Sequence, residues 1–240
     1  MNPTIVCGDL HGDYKIAETI IENCSDGYDI VFVGDYLDSF HYSIEDQVKC
    51  LEVVLSASEQ LNNVKALMGN HEMSYLESGC RCSGWNFATD SHVIHMQHRM
   101  RKELLDYIWL GGKDEYLISH AGVSKTVLDA LGTDLDTYLL EGRGVGLFDQ
   151  AGRARGGYAQ CGGLRWCDWW QEFEPVDKVR QIVGHSQYRP KGHYGVATQG
   201  VVTKGDNWNI DCLQGVKEVV IVSDSGVDIV DYYDVKYKQI

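Results

Sequence analysis

Five short motifs combine glycine with aspartate, asparagine or histidine, and they hold the residues of this chain best suited to chemistry. The motifs are Gly8-Asp9-Leu10-His11-Gly12-Asp13, Gly34-Asp35-Tyr36-Leu37-Asp38, Gly69-Asn70-His71-Glu72, Ser119-His120-Ala121-Gly122 and Gly184-His185-Ser186. Their side chains offer carboxylate, amide and imidazole donors, a set that suits Mn²⁺, iron or Zn²⁺ better than a cysteine-held structural zinc. A carboxylate can bridge two such ions about 3.5–4 Å apart, an arrangement used for in-line displacement at phosphorus.

Each motif directly follows a segment that we predict to be a β-strand. Short apolar runs at residues 4–7, 29–33 and 64–68 predict strands, and amphipathic stretches at 14–24 and 44–61 predict the helices between them. Strands that alternate with helices indicate βαβ units and a largely parallel sheet, whose strands end at one common edge. Ligand sites lie outside that edge, so we expect the polar side chains of the motifs to converge there.

The rest of the chain shows no repeat and no linker, which favours a single domain over residues 1–240. Residues 78–100 interrupt the strand–helix alternation and read as an insertion loop, with a helix from about residue 91 to residue 108. Residues 142–163 are rich in glycine and predict a long mobile loop. Further strands are expected at residues 115–119, 181–183, 208–210, 218–223 and 227–230.

The composition is that of a globular protein with an acidic surface. Of the 240 residues, 44% are hydrophobic and 23% are charged, which excludes wholesale disorder. The formal net charge of −14 argues against an extended nucleic-acid groove, because such grooves need clustered lysine and arginine. A phosphate-bearing substrate is still compatible with this charge, since bound metal ions would reverse the local field.

The five motifs together resemble the signature blocks of the calcineurin-like metallophosphoesterases. The Asn-His-Glu and His-Ala-Gly forms resemble the phosphoprotein-phosphatase branch, which includes phage Ser/Thr phosphatases and symmetrical diadenosine tetraphosphatases. Residues 184–190 and 209–211 resemble later blocks of the same branch, so the resemblance runs from residue 5 to about residue 222. It implies an α/β fold, a two-sheet metallophosphoesterase sandwich with flanking helices.

The resemblance also implies a centre with two divalent metal ions. The implied ligands are Asp9, His11, Asp35, Asn70, His120 and His185. Asp9 and His11 would bind the first ion, Asp35 would bridge the pair, and the remaining three would bind the second. Manganese is the first expectation for both ions, with iron, zinc or nickel as alternatives.

In the implied mechanism a metal-bridging hydroxide attacks phosphorus and a catalytic pair handles the leaving group. His71 would protonate the leaving oxygen, and Asp38 would orient His71 and support its cationic form. Glu72 is expected to be structural. Asp211 either fixes the orientation of a ligand or simply ends a strand.

The chain departs from the resemblance directly after Asp38. Protein phosphatases of this family usually place Arg-Gly there, whereas this chain has Ser39-Phe40. The missing arginine would grip the non-bridging oxygens of the substrate phosphate. Its possible replacements are Arg165 and Arg189, which we favour, and Arg81, Arg143, Arg153 and Arg155.

Cysteines and tryptophans leave two further questions open. Cys80, Cys82, Cys161 and Cys167 are either reduced buried thiols or, less in keeping with their spacing, a structural zinc set. Four of the six tryptophans either line a substrate pocket or pack in the core, and these four are Trp85, Trp166, Trp169 and Trp170.

The function expected from these observations is a Ser/Thr-phosphatase-like phosphomonoesterase that acts on a phosphoester substrate. A nucleotide phosphodiesterase or pyrophosphohydrolase is the alternative, because the missing arginine fits a less charged diester. A phosphate-binding module without catalysis is the third reading. The chain begins without a basic leader and has no run of about 18 apolar residues, which predicts a bacterial cytoplasm, or a host cytoplasm if a phage encodes it, and no membrane partner.

Overall fold

The computed structural model describes residues 2–77, 81–111, 116–188, 190 and 197–235. Its strands are β1 (Thr4–Cys7), β2 (Asp29–Phe32), β3 (Val64–Leu67), β4 (Leu104–Leu105), β5 (Tyr107–Leu110), β6 (Tyr116–Ser119), β7 (Arg180–Val183), β8 (Val202–Thr203), β9 (Trp208–Asn209), β10 (Glu218–Ser223) and β11 (Gly226–Asp231). Its α-helices are α1 (Tyr14–Cys24), α2 (Ile44–Gln60), α3 (Asn70–Met73), α4 (Phe87–Val93), α5 (Gln97–Glu103), α6 (Lys125–Leu131) and α7 (Leu135–Glu141).

The first sheet has six strands in the order β11-β10-β1-β2-β3-β4. From β1 to β4 each neighbouring pair is parallel, whereas β10 is antiparallel to both β1 and β11. All four positions of β1 are buried, as expected for a strand that is covered on both faces. The carboxyl ends of β1, β2 and β3 therefore lie side by side.

The second sheet has five strands in the order β5-β6-β7-β9-β8. Its three central strands, β6, β7 and β9, are parallel, and the outer pairs are antiparallel. One apolar layer is formed by both sheets together, with Val31 and Val220 from the first and Ile118 and Ile182 from the second. The two sheets therefore face each other across this layer.

Helices cover the outer faces of this sandwich. The core outside the first sheet includes Ile16 and Ile20 of α1 with Leu51 and Val54 of α2. The core outside the second sheet is built from α6, α7 and the segments that follow them. The expected two-sheet α/β sandwich with flanking helices is confirmed. None of the helices in the described ranges is long and apolar enough to cross a membrane.

The predicted helix over residues 91–108 is wrong at both ends. Helix α4 begins earlier, where Asn86 Oδ1 accepts a hydrogen bond from the Thr89 amide at 2.9 Å and caps its first turn. A 3₁₀ turn at Ile94–Met96 separates α4 from α5. The chain then leaves the helix, since β4 extends the first sheet beside β3 and β5 joins the second. Residues 78–80 of the predicted insertion loop lie outside the described residues.

The glycine-rich segment 142–163 contains two short 3₁₀ helices, Leu147–Asp149 and Arg153–Arg155. The carboxylate of Glu172 holds the second of them in place. It accepts hydrogen bonds from the backbone amides of Ala154 and Gly162, each at 2.9 Å. The segment is therefore built into the sandwich through backbone contacts that its composition does not reveal.

Candidate active site

The five motifs come from both sheets, three from the first and two from the second. Those of the first sheet follow β1, β2 and β3, and those of the second follow β6 and β7. The expected convergence at strand ends is present, but it spans the junction of two sheets rather than the edge of one. The His185 amide, after β7, donates hydrogen bonds to both carboxylate oxygens of Asp9, after β1, at 3.1 Å.

The backbone is strained at this junction. Among the described residues six non-glycine positions have positive φ, and four of them belong to the motifs: His11 (41°), Asp35 (54°), Asp38 (60°) and His185 (70°). Such conformations cost about 1–3 kcal/mol each and persist where the surrounding structure enforces them. Their concentration here indicates a site built for function.

Asp35 lies at the centre of a group of histidines. Its Oδ2 atom is 3.3 Å from His120 Nε2 and 3.8 Å from both His11 Nε2 and His71 Nε2. Burial alone would raise the pKa of Asp35, but His120 and His71 nearby hold that pKa well below its usual value. Gly69 makes room for the carboxylate, because a Cβ atom at this position would lie 2.1 Å from Asp35 Oδ1. Asp35 is thus a buried anion that can face two cations.

Two potential ligand atoms meet beside Asp35. His120 Nδ1 is 3.0 Å from the Val33 carbonyl oxygen, so this nitrogen carries a proton, and in the neutral ring Nε2 carries a lone pair. That Nε2 atom is only 2.9 Å from the amide oxygen of Asn70, which is also an acceptor. His185 Nδ1 is 2.9 Å from the same oxygen, and its Nε2 is buried without a hydrogen-bond partner among the described residues. This donor set fits a metal cation.

His11 is oriented in the same way as His120. Its Nδ1 atom is 2.8 Å from the Leu37 carbonyl oxygen, which leaves Nε2 directed at Asp9 (4.0 Å) and Asp35. A histidine that gives one ring proton to a backbone carbonyl and presents the other nitrogen is typical of metal ligands. The spatial groups His11–Asp35–His71 and Asp35–His120–His185 each bring three potential ligand atoms within 4.8 Å of one another.

Other buried carboxylates lie close to Asp9. Burial, and then the carboxylates of Asp211 and Asp35, raise the pKa of Asp9 well above its usual value. Burial and Asp35 raise the pKa of Asp211 to about 6. The Oδ1 atom of Asp211 is buried, and no described residue offers it a hydrogen bond. Cations bound in the cleft would relieve this repulsion.

His71 and Asp38 form a close pair. His71 Nδ1 is 2.9 Å from Asp38 Oδ2, and the hydroxyl of Tyr75 donates a hydrogen bond to the other Asp38 oxygen. Burial alone would lower the pKa of His71, but Asp35 and Asp38 outweigh it and raise that pKa to about 9. In the metal-free site His71 is therefore a cation at neutral pH, and its Nε2–H faces the cleft.

Glu72 holds the loop that presents Asp35. Its carboxylate accepts hydrogen bonds from the backbone amides of Asp35 (2.8 Å), Tyr36 (2.7 Å) and Leu37 (3.2 Å). These contacts agree with the structural role expected for Glu72. They also account for the positive φ of Asp35, since three consecutive amides must point at one carboxylate.

A cleft of about 450 Å³ opens above these groups. Besides motif residues, it is lined by Ser39, Phe40, His41, Arg81, Cys82, Ser83, Arg155, Trp166, Gln187, Asp211 and Gln214. Of the four tryptophans, Trp166 reaches the cleft, whereas Trp169 is buried and stacks on Phe173 with ring centroids 4.5 Å apart. Trp170 is 40% exposed.

The prediction that Arg165 binds substrate phosphate is wrong. Its guanidinium is fully buried away from the cleft and is occupied by two carboxylates. Nε and Nη2 bind Asp149 at 2.6 and 2.7 Å, and Nη1 binds Asp106 at 2.6 Å. Arg165 therefore ties the glycine-rich segment to the second sheet. Arg189, the other favoured residue, lies outside the described residues.

The structure instead brings Arg155 to the wall of the cleft, beside His185. Its Nη2 atom donates hydrogen bonds to the His185 carbonyl oxygen (3.1 Å) and to Ser186 Oγ (2.8 Å). Its Nε atom is 2.9 Å from Asp168 Oδ2, which fixes the guanidinium at the cleft wall. Sequence spacing gives no reason to prefer Arg155 over Arg153. The direction of the Arg155 side chain depends on the 3₁₀ turn at Arg153–Arg155, and Glu172, which is distant in sequence, holds that turn in place.

The cysteines of the zinc alternative do not share a site. The amide group of Asn70 donates to Cys82 Sγ at 3.1 Å in the cleft. Cys161 and Cys167 instead face each other at 3.9 Å in the core outside the second sheet. Cys80 lies outside the described residues.

Comparison with known proteins identifies the class to which this fold and site belong. The family model for calcineurin-like phosphoesterases matches residues 3–221, nearly the whole chain. The chain belongs to the calcineurin-like phosphoesterases, and it is accordingly a hydrolase of phosphoric esters. The family implies divalent metal ions, and the His and Asp groups described above are candidates to bind them. No curated protein matches the chain significantly.

Two solved structures show the breadth of the structural similarity. A cold-active protein-tyrosine phosphatase from a Shewanella species superposes with a TM-score of 0.64 at 16% identity, over 97% of this chain and 78% of that one. A protein serine/threonine phosphatase from Saccharomyces cerevisiae, described as similar to human phosphatase PP5, gives a TM-score of 0.55 at 15% identity, over 95% and 78%. At these identities the similarity shows the shared fold.

Proposed function

We propose that this protein is a Ser/Thr-phosphatase-like phosphomonoesterase that uses two divalent metal ions. The observation that carries the proposal is the 2.9 Å approach of His120 Nε2 and Asn70 Oδ1, two atoms that a cation would join when the imidazole is neutral. This pair lies beside the buried anion of Asp35. The Nε2 atom of the cationic His71 lies 3.8 Å from the same carboxylate. Asp35 thus contacts both the proposed metal site and the proposed acid, His71.

The proposed ligands follow from the direction of each donor. They are Asp9, His11, Asp35, Asn70, His120 and His185, with Asp35 common to both ions. When bound, the two ions supply a nucleophile by lowering the pKa of a water molecule, and they offset the charge of the phosphate. Manganese as the ion in use remains a prediction, as does the cytoplasmic location.

The chain's own residues handle the proton. His71 gives the proton on Nε2 to the leaving oxygen as the P–O bond breaks. Asp38 and Tyr75 keep the His71 ring in position, because Asp38 accepts from His71 Nδ1 and is itself held by the Tyr75 hydroxyl. A correctly oriented acid contributes about 10²–10⁴-fold in rate.

Arg155 supplies a cation for the non-bridging oxygens of the phosphate. It lines the cleft next to His185, and its Nε and Nη2 atoms are fixed by Asp168, Ser186 and the His185 carbonyl. The arginine that the family places after Asp38 is absent, so a cation held from another loop restores part of the lost charge. A fixed guanidinium loses little entropy when it binds an anion.

A substrate panel with metal reconstitution tests the proposal. The protein is stripped with chelator, reloaded with Mn²⁺, Zn²⁺, Fe²⁺ or Mg²⁺, and assayed on aryl monoester, aryl diester, phosphopeptide, dinucleoside tetraphosphate and cyclic nucleotide. We expect monoester hydrolysis that depends on added metal. His71→Asn should retain bound metal and lose turnover, whereas Asp35→Asn should lose both ions. Failure on every substrate with every metal would overturn the proposal, and so would a metal-free His71→Asn protein.

A nucleotide phosphodiesterase or pyrophosphohydrolase is the second candidate. It is favoured by the segment after Asp38, where Ser39 stands in place of an arginine and is followed by an exposed phenyl ring, Phe40. A diester carries one charge fewer than a monoester and needs less compensation. Faster turnover of the diester or the tetraphosphate than of any monoester in the same panel would favour this reading.

A further inference from the structure

Aromatic side chains and an arginine lie at one end of the cleft and beside it. We define the aromatic rim as Phe40, Arg81, Trp85 and Phe87, of which Phe40 and Arg81 line the cleft. Phe40 is 75% exposed and Phe87 is 73% exposed, so both rings are accessible to a ligand. The Arg81 guanidinium lies 3.9 Å above the Trp85 ring, and the Trp85 and Phe87 rings meet edge to face at 4.8 Å.

The aromatic rim adjoins the catalytic pair rather than the metal ligands of the second sheet. Phe40 follows Asp38 by two residues and lines the cleft together with Arg81. Trp85 stacks on Tyr75, whose hydroxyl holds Asp38, with ring centroids 6.2 Å apart. Gly84 packs against Asp38 so closely that a Cβ atom there would lie 3.0 Å from the Asp38 Cβ. The rim therefore borders the position of the leaving oxygen.

Hydrogen bonds fix the segments that carry the rim. Ser39 Oγ accepts from the backbone amides of His41 and Tyr42 at 3.1 Å, which closes the turn around Phe40. The Cys82 amide donates to Ser74 Oγ at 2.9 Å, directly after Arg81. On the other side of Trp85, Asn86 caps helix α4. The exposure of these side chains is thus imposed by the backbone.

The chemistry of the rim suits a planar aromatic group. The Arg81 guanidinium lies on Trp85, with the centroid of the Phe87 ring 5.6 Å away, and the exposed Arg81 side chain also lines the cleft, where a ligand ring can reach it. Guanidinium groups stack on aromatic faces, and each such contact at an exposed site strengthens binding about two- to fivefold. An alkyl group in the same place gains only the burial of its carbon atoms.

We propose that the aromatic rim binds the leaving group of the substrate and selects phosphoesters in which that group is aromatic, as in phosphotyrosine and other aryl phosphates. The inference rests on the proposed phosphomonoesterase function and specifies its leaving group. The bond between phosphorus and the aryl oxygen breaks, that oxygen takes the proton from His71, and the oxygen of water stays on phosphorus. Arg155, beside His185, remains with the non-bridging oxygens.

Binding of two phosphonates to the Mn²⁺-loaded protein tests the rim without any turnover. Benzylphosphonate and cyclohexylmethylphosphonate carry rings of similar size on the same linker, and only the first ring is aromatic. By calorimetry we expect benzylphosphonate to bind about two- to fivefold more tightly. Arg81→Ala and Phe40→Ala should each bring the ratio toward one, and Arg81→Lys should retain part of it. Ile94→Ala, at a 60% exposed position outside the cleft, is the matched control.

Kinetics with two peptides of the same sequence, one with phosphotyrosine and one with phosphoserine, complete the test. Arg81→Ala should lower kcat/KM for the phosphotyrosine peptide two- to fivefold more than for the phosphoserine peptide. Comparing variants cancels the greater intrinsic reactivity of the aryl ester. Melting curves confirm that these surface variants are folded.

The outcomes separate the rim from the proposed function. Equal binding of the two phosphonates, or equal losses on the two peptides, would overturn the aromatic preference while hydrolysis of both peptides left the proposed function standing. A second result would also overturn the aromatic preference. In it the protein would prefer adenosine 5′-monophosphate to ribose 5-phosphate but would show no preference for benzylphosphonate. The rim would then bind an aromatic ring farther from phosphorus than the leaving group. Phosphonate preference without any hydrolysis would support the rim and overturn the proposed function.

Discussion

The proposed role of Arg155 follows from its contacts in the fold and not from its neighbours in sequence. We expect Arg155→Ala to raise KM for phosphomonoesters by about tenfold or more, because a charge-assisted bond to phosphate contributes about 1.5–3 kcal/mol. Arg153→Ala, in the same 3₁₀ turn but exposed and outside the cleft, is the control and should match the wild type. Steady-state kinetics check both. Unchanged KM in Arg155→Ala would remove this residue from the phosphate site.

The charge of His71 gives a second prediction at the residue scale. In the metal-free protein its pKa is raised from 6.5 to about 9, chiefly because Asp35 and Asp38 outweigh the effect of burial. A group whose pKa is raised on folding stabilises the fold below its unfolded pKa, and this stability is lost as pH rises through the folded value. We therefore expect the free energy of unfolding of the metal-free protein to fall between about pH 6.5 and pH 9.

Replacement of Asp38 tests that account. Asp38→Asn removes one of the two carboxylates that raise the pKa of His71, so the imidazole should titrate at a lower pH. A pH series of NMR spectra of the metal-free protein follows the ring directly. Titration still near pH 9 in the variant would assign the whole effect to Asp35.

At this scale the sequence indicated where the candidate metal ligands lie, but it gave no basis for choosing among the arginines. Asp9, Asp35, Asn70, His120 and His185 each follow a strand, so local pattern alone places them at strand ends. Arg165 and Arg155 have equally plausible neighbours in sequence. What separates them is a contact with Asp149 and Asp106 in one case and with Asp168 in the other. Such long-range pairings have no local signature.

Among the elements, the glycine-rich segment depends on the buried Arg165. Arg165→Leu would remove the buried partner of Asp149 and leave Asp106 only the half-exposed Arg143, and breaking a buried ion pair from one side costs about 3–5 kcal/mol. Arg143→Ala removes a half-exposed ion pair to the same Asp106 and should cost less than about 1 kcal/mol. Denaturant unfolding measures both variants. Wild-type stability in Arg165→Leu would contradict the anchoring role.

Helices and strands were predicted well where the chain alternates and poorly where it changes sheets. In residues 87–103 the buried positions Val93, Met96 and Met100 follow helical spacing, as the sequence indicates. What the pattern does not show is that β4 leaves the helix to pair with β3 and that β5 then starts the second sheet. All four residues of β5 are half-buried, so the strand lacks the alternation that would identify it.

For the whole molecule, the metal ions should be part of the stability of the fold. Asp9, Asp35 and Asp211 are buried and close enough to perturb one another, and bound cations would relieve their repulsion. Ligand at 100 times its Kd stabilises a protein by about 2.7 kcal/mol. We therefore expect chelator to lower Tm by several degrees and Mn²⁺ to restore it. Melting curves check this, with Asp35→Asn as the control that should not respond.

The structure also changes how the net charge of −14 is interpreted. In the sequence it argued only against a nucleic-acid groove. In the structure part of it lies in the cleft, where Asp9, Asp35 and Asp38 face histidines. Two divalent ions would add four positive charges at that point. Composition alone could not show this, because it does not record where charges meet.

The contact between Asp9 and His185 has a consequence for how the protein is made. These residues are 176 positions apart, and they join the first strand of one sheet to a late strand of the other. A ribosome must therefore deliver 185 of the 240 residues before all the proposed ligands exist together. Until then a nascent chain has only some of its ligands. Gain of tight metal binding should thus mark the moment at which synthesis has passed β7.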